Sequence, residues 1–128
     1  MTPELRQRLE GVFTALVTPF ADGNVDFAAL QRHIDAQLDA GVAGVVPVGT
    51  TGEAATLTDA ETAAVVATTV QAAAGRAFVL AGAGSNATRI AIDKARQAAD
   101  AGVDGLLVVT PYYNKPSAAG LEDHFGAI

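Results

Sequence analysis

Four short apolar runs recur along the chain at intervals of about thirty residues, the length of one strand–helix unit. They span Val12–Thr18, Val45–Val48, Ala77–Ala81 and Leu106–Thr110. Nearly unbroken apolar runs of this length, bounded by glycine or proline, are typical of strands that are buried on both faces of a parallel sheet. The pattern therefore predicts an α/β fold.

Alanine-rich stretches separate these runs and are predicted as helices over 26–40, 58–74, 86–101 and from 117 onward. Thr58 and Glu61 form a capping-box pattern, in which a hydroxyl and a carboxylate satisfy amides at a helix start. Asn86 is the expected N-cap of the third helix, with Ile90 and Ile92 on its apolar face.

The order of elements, βαβαβαβα, is accompanied by an internal repeat. Residues 39–44 (DAGVAG) and 100–105 (DAGVDG) are each followed by two apolar residues, and Gly41 and Gly102 are expected at helix ends. A repeat spaced by two units suits a (β/α)8 TIM barrel, which needs about 250 residues. We expect residues 1–128 to be the first four βα units, the N-terminal half of a single barrel domain, with the C-terminal half absent.

Composition excludes several classes of protein. The net charge is −6, so no basic nucleic-acid surface is expected. No cysteine is present, which excludes disulfides and thiolate metal sites, and no other grouping has metal-ligand spacing. The longest apolar run, Val42–Val48, is too short to span a bilayer, and Met1–Glu10 has no apolar signal-peptide core. A cytoplasmic protein without nucleic-acid or membrane partners is expected.

Two loops that follow predicted strands carry candidate chemistry. Gly49–Glu53 (GTTGE) has two hydroxyls between glycines, so its amides can converge on an anion such as a carboxylate; the alternative is an ordinary turn, with Glu53 supporting the loop. The loop after the fourth strand holds Tyr112 and Tyr113 between two prolines. A phenol can relay a proton to a hydroxyl such as that of Thr50, whereas the alternative is packing in a core or interface.

The loop after the first strand resembles the start of a calcium site. Asp22, Asn24 and Asp26 have the spacing of calcium ligands, but Gly23 is misplaced and His33 stands where a bidentate glutamate is needed. A turn followed by an Asp26 N-cap is the favoured interpretation.

A glycine-rich turn follows the third strand. Gly82, Gly84 and Ala87 match a dinucleotide fingerprint, but on the wrong βα unit, so a turn for close packing is favoured. The histidines, His33 and His124, are isolated on helices and are expected in surface or cap roles.

Three motifs in register resemble the dihydrodipicolinate synthase family of the pyruvate-dependent class I lyases and aldolases. They are Gly49–Glu53, Ala81–Asn86 and Thr110–Pro116, and the resemblance extends from Gly11 to Ile128. The wider family includes N-acetylneuraminate lyase, but the paired threonines and the Tyr-Tyr-Asn sequence resemble the synthase branch.

The resemblance implies a reaction. Members of the family condense pyruvate, held as a Schiff base on a lysine, with L-aspartate 4-semialdehyde in lysine and diaminopimelate biosynthesis, without a further cofactor. Thr50 and Thr51 are implied to bind the pyruvate carboxylate. Thr50 and Tyr113 are implied to be catalytic members of a proton relay, with Tyr113 reaching into the partner's site in a homotetramer built as a dimer of dimers.

The resemblance also extends to an allosteric lysine site, which Ala55, Asn86 and Tyr112 match by position. Lysine-inhibited members carry a glutamate where this chain has Ile90 and a histidine where it has Asp59. Feedback inhibition by lysine is therefore not expected.

The chain departs from the family at the Schiff-base lysine. Its lysines, Lys94 and Lys115, do not follow a strand in the family's Gly-Ile-Lys pattern, so the chain alone is expected to be inactive. Its first and fourth strands are expected to be unpaired sheet edges. Two alternatives stay open: another pyruvate-dependent aldolase with a different acceptor, and a non-catalytic half-barrel fragment.

Overall fold

A computed structural model describes residues 2–128 of the chain. The helices are α1 (Pro3–Arg8), α2 (Phe27–Asp39), α3 (Asp59–Ala73), α4 (Thr88–Asp100) and α5 (Ala118–Ala127). The strands are β1 (Phe13–Ala15), β2 (Phe20–Ala21), β3 (Asn24–Val25), β4 (Gly44–Val46), β5 (Phe78–Gly82) and β6 (Gly105–Leu107). Strand β1 leads through a small hairpin to α2, and β4, β5 and β6 lead to α3, α4 and α5.

The main sheet is parallel and has the strand order β1-β4-β5-β6. Thr14 pairs with Val45, and Val45 pairs with Val79. This confirms the predicted α/β fold, and it confirms that β1 and β6 lie at the edges of the sheet described by residues 2–128. The sequence analysis did not predict α1 or the antiparallel β2–β3 hairpin.

The hydrophobic core lies between one face of this sheet and helices α2 to α4. Val45 and Val79 in the central strands pack there against the fully buried Leu30 and Ile34 of α2. Burying one such leucine or isoleucine contributes roughly 1.5–3 kcal/mol to folding. The predicted burial on both faces holds for β4, but it is wrong for the edge strands, where the second face is open.

The apolar face of α4 differs from the prediction. Ala91, Ala95 and Ala98 are buried, whereas Ile90 is 39% exposed. The small alanine side chains allow the helix to approach the sheet closely, and the larger isoleucine is left outside. The size of the apolar side chains therefore did not predict which face of α4 is buried.

The start of α4 also corrects a prediction. Asn86 is not the N-cap, because the helix begins at Thr88 and its N-cap residue, Ala87, makes no side-chain capping bond. Ser85 Oγ instead accepts a hydrogen bond of 3.2 Å from the amide of Ala87. The Asn86 carbonyl serves another loop, described below.

The other predicted helix ends are confirmed. Asp26 accepts a hydrogen bond from the Ala29 amide at the start of α2, and Ser117 caps α5. Gly41 and Gly102 follow the ends of α2 and α4 with φ angles of +80° and +86°, a left-handed conformation that favours glycine.

The capping box at the start of α3 is complete. The amide of Glu61 donates to Thr58 Oγ1 over 3.2 Å, and the Glu61 carboxylate accepts from the Thr58 amide over 2.8 Å. The Thr58 amide and hydroxyl lower the pKa of Glu61 below its ordinary value of 4.5. The stabilisation is therefore present above that value and is lost as the pH falls through the lowered pKa.

Replacing Thr58 by alanine is expected to lower the free energy of unfolding by about 1 kcal/mol at neutral pH. The difference from the parent chain should shrink in acid, because protonation of Glu61 already weakens the box in the parent. Urea denaturation of the variant and the parent, at neutral pH and in acid, measures this difference in the free energy of unfolding. Thr68→Ala, within the same helix, is the matched control, and an equal loss there would contradict the capping role.

Candidate active site

The loops after β4, β5 and β6 surround a cavity of about 820 Å³. Thr50 and Ala55 contribute from the first loop, Gly84 from the second, and Val109 and Tyr112 from the third. In parallel α/β folds the carboxyl ends of the strands are where binding and catalytic groups lie. This edge of the sheet is therefore the candidate site.

Hydrogen bonds fix the Gly49–Glu53 loop to the rest of the chain, while its two threonines stay exposed. Thr18, buried in the segment after β1, donates its hydroxyl to the Gly52 carbonyl over 2.7 Å, and the Glu53 amide donates to the Thr50 carbonyl over 3.1 Å and closes a turn. Within residues 2–128, the amides and hydroxyls of Thr50 and Thr51 donate to no protein acceptor, and both residues are exposed. These free donors are the arrangement that binding of a carboxylate needs.

Close backbone packing accounts for the glycines of this edge. A Cβ added to Gly82 would overlap the carbonyl oxygen of Val48, and one added to Gly84 would lie 2.6 Å from the amide nitrogen of Val109. The Gly-x-Gly pattern thus allows close packing, but the nearest atoms belong to neighbouring loops and not, as was predicted, to the helix that follows. Val48 is itself buried in a left-handed conformation with φ +49°, which costs on the order of 1–3 kcal/mol for a residue other than glycine.

The two tyrosines after β6 differ in their surroundings. Tyr112 is 53% exposed and lines the cavity, whereas Tyr113 is 95% exposed. Tyr113 has a φ of +72°, and the Asn114 amide donates to the Tyr112 carbonyl over 2.9 Å across a tight turn centred on it. The phenol of Tyr113 therefore projects away from its own chain.

A second cavity of about 720 Å³ adjoins the first. Asn86, Asp59 and Ile90 line it, while Tyr112 and Lys94 line both cavities. Of the three positions that the resemblance assigns to an allosteric site, Ala55 lines the first cavity, Asn86 lines the second, and Tyr112 lines both.

The structure does not join the two implied catalytic residues within one chain. No hydrogen bond among residues 2–128 connects Thr50 to Tyr113, and the exposure of Tyr113 leaves its phenol without contacts of its own chain. Lys94 lies half-buried on α4 and Lys115 is exposed.

His124 contradicts its expected surface or cap role. Its side chain is only 3% exposed, and its Nδ1 lies 2.9 Å from the hydroxyl of Thr88, so that it links α5 to the start of α4. Leu121 and His124 lie three residues apart in α5 and are less exposed than the residues on either side of His124. That spacing was the available signal.

The loop that resembles a calcium site is a turn followed by a helix cap, as favoured. The side-chain amide of Asn24 donates to the Asp22 carbonyl over 3.1 Å, and the Asp26 carboxylate accepts from the Ala29 amide at the start of α2. In the described part of the chain, no three acidic or histidine side chains are grouped for metal binding.

None of the helices in residues 2–128 combines the length and apolarity needed to cross a membrane.

The parallel sheet and the loops at its carboxyl edge define an α/β protein of the kind that binds small substrates at strand ends. Residues 8–128 match the model of the Dihydrodipicolinate synthetase family. The chain belongs to that family.

Relatives in this family are similar over nearly the whole chain. The 4-hydroxy-tetrahydrodipicolinate synthase of Methanococcus maripaludis (strain C7) is 51% identical over 94% of this chain and 42% of its own length. That of Methylobacterium radiotolerans is 52% identical over 100% of this chain and 43% of its own. The chain thus spans about two-fifths of the length of these relatives.

Solved structures agree with this similarity. The 4-hydroxy-tetrahydrodipicolinate synthase from Methylacidiphilum fumariolicum SolV superposes with a TM-score of 0.91 at 44% identity, over 93% of this chain and 40% of the other. The dihydrodipicolinate synthase from Aquifex aeolicus gives 0.89 at 46% identity, over 91% and 40%. A third, with a TM-score of 0.91 at 40% identity over 94% and 40%, is described as the first monomeric dihydrodipicolinate synthase variant.

Proposed function

We propose that the chain supplies the N-terminal half of a 4-hydroxy-tetrahydrodipicolinate synthase, as the first four βα units of a (β/α)8 barrel. The Gly49–Glu53 loop carries the proposal, because its free amides and hydroxyls lie at the carboxyl edge of a parallel sheet. The names of the relatives support the reaction. The open edges of β1 and β6 support a barrel that closes with further strands.

The substrates follow from this assignment. Thr50 and Thr51 hold the carboxylate of pyruvate, while a lysine from the second half of the barrel attacks its ketone and releases water to form an imine. Loss of a methyl proton then makes that carbon the nucleophile toward the aldehyde of L-aspartate 4-semialdehyde. No resident cofactor is needed, since the imine itself withdraws the electrons.

Proton transfer requires an assembly. The Thr50 hydroxyl and a Tyr113 phenol from a neighbouring copy form the relay, in a homo-oligomer such as a dimer of dimers. The 95% exposure of Tyr113 is consistent with a group that works outside its own chain. A regulatory site of this enzyme includes Ala55, Asn86 and Tyr112. Insensitivity to lysine is favoured, because Ile90 and Asp59 stand where lysine-inhibited members carry a glutamate and a histidine.

Incubation with pyruvate and borohydride, followed by intact-mass spectrometry, tests the proposal. Reduction traps the imine, so one pyruvate adduct is expected on the complete enzyme and none on the 128-residue chain. A stoichiometric adduct on the 128-residue chain would show that Lys94 or Lys115 is the nucleophile. Absence of an adduct on the complete enzyme would refute the proposed imine chemistry and would favour a non-catalytic protein.

A further inference from the structure

We propose that Asn114 is a positioning residue for Tyr113, which it holds in a strained turn so that the phenol is presented to a neighbouring site. The inference rests on the proposed function, from which it takes Tyr113 as the proton-relay residue and Thr50 and Thr51 as the pyruvate-binding residues. The observations that carry it, however, are contacts of the described chain alone.

The loop around Tyr113 is strained and receives little support from packing. Tyr113 and Lys115 have φ angles of +72° and +49°, a region that residues other than glycine rarely adopt. Residues 112–115 are all exposed, so no core holds them in this conformation. Hydrogen bonds must therefore maintain it.

Asn114 supplies two such bonds in different directions. Its backbone amide donates to the Tyr112 carbonyl over 2.9 Å and closes the turn around Tyr113. Its side-chain amide donates to the Asn86 carbonyl over 2.9 Å and fastens the turn to the loop between β5 and α4. Within residues 2–128, no other side-chain hydrogen bond connects residues 111–116 to a different loop.

The point of attachment is itself fixed. Ser85, next to Asn86, is buried, and its hydroxyl accepts from the Ala87 amide over 3.2 Å. One residue further on, Thr88 bonds to the buried His124, so α5 is tied to the same end of α4. The Asn86 carbonyl is thus held in place, and the hydrogen bond from the Asn114 side chain to it holds the Tyr113 turn in place as well.

The consequence for catalysis is specific. A displacement of a catalytic group by about 1 Å can lower a rate roughly a hundredfold. Pyruvate, in contrast, is held by the separate loop that carries Thr50 and Thr51. Loss of the Asn114 side chain is therefore expected to lower kcat and to leave the KM for pyruvate unchanged.

Fluorescence of the chain tests the positioning directly. The chain has two tyrosines and no tryptophan, so Tyr112→Phe leaves Tyr113 as the sole emitter. In that background, Asn114→Ala is expected to add a fast, large-amplitude component to the time-resolved anisotropy decay. Asn24→Ala removes a similar bond, from Asn24 to the Asp22 carbonyl, and should add none. An Asn114→Ala decay identical to the parent would overturn the inference.

Two further arms keep the test decisive. Asn114→Asp preserves the shape of the side chain but cannot donate when ionised, and it should also mobilise Tyr113; thermal melts by circular dichroism verify that each variant is folded. In the complete enzyme, Asn114→Ala should lower kcat by roughly 10- to 100-fold, with no additional loss in combination with Tyr113→Phe. A kcat insensitive to Tyr113→Phe would refute the relay, while the anisotropy would still decide the positioning.

Discussion

Replacing Thr50 by valine is expected to lower kcat of the complete enzyme by roughly 10²- to 10⁴-fold, the range typical of a lost proton-transfer group. Valine matches threonine in shape but lacks the hydroxyl that is to exchange protons with a neighbouring Tyr113. Because Thr50 is exposed and its hydroxyl bonds to no protein atom in the described chain, the fold should be unaffected. Steady-state kinetics with pyruvate and L-aspartate 4-semialdehyde measure the effect.

Two companion variants make this result specific. Thr51→Val is expected to raise the KM for pyruvate more than it lowers kcat, because Thr51 is proposed to bind the carboxylate without joining the relay. Thr68→Val, within α3, should change neither value. If Thr50→Val raised the KM for pyruvate as much as Thr51→Val does and left kcat unchanged, Thr50 would only bind pyruvate. The proposed proton relay would then not include Thr50.

Replacing Gly82 by alanine is expected to destabilise the chain by about 3 kcal/mol, at the upper end of the range for overpacking. The added methyl group would overlap the Val48 carbonyl and lie 3.2 Å from the Gly49 amide nitrogen. Both are backbone atoms at the end of β4, so no side-chain rotation can relieve the clash. Val48 is already strained, and a shift there would carry the adjoining threonine loop with it.

Chemical denaturation of Gly82→Ala and of Gly126→Ala measures this effect against a matched control. Gly126 lies within α5, and an added Cβ there meets no atom within 4 Å. Alanine also favours a helix, so that variant should be as stable as the parent or slightly more stable. If the two variants were equally stable, the contact between β5 and the Val48 turn would not be tight.

The sequence was sufficient to predict the four strands of the main sheet, their parallel arrangement and most helix ends, because these depend on local patterns. The capping box of Thr58 and Glu61 is contained within four successive residues, and glycines at helix ends have a local steric cause. The buried face of α4 was missed because alanines, which the sheet requires for a close approach, carry little weight in a hydrophobic pattern.

In the candidate site, too, features with a local cause could be predicted and contacts between distant residues could not. The threonine and tyrosine loops could be found because unusual residues follow predicted strands. The contacts that hold those loops join residues distant in sequence, such as Thr18 to Gly52 and Asn114 to Asn86, and no local spacing predicts them. His124 was misjudged for the same reason, since its partner lies on another helix.

The strand order has a consequence for synthesis on the ribosome. Each strand of the main sheet pairs with the strand of the preceding βα unit, so every unit can dock as soon as it leaves the exit tunnel. Leu107 in β6 is exposed, and so are Val17 and Val109 in the segments that follow β1 and β6. If the chain is the first half of a barrel, as proposed, a nascent chain of this length would fold with these apolar side chains exposed, and we expect chaperones to bind them until later strands emerge.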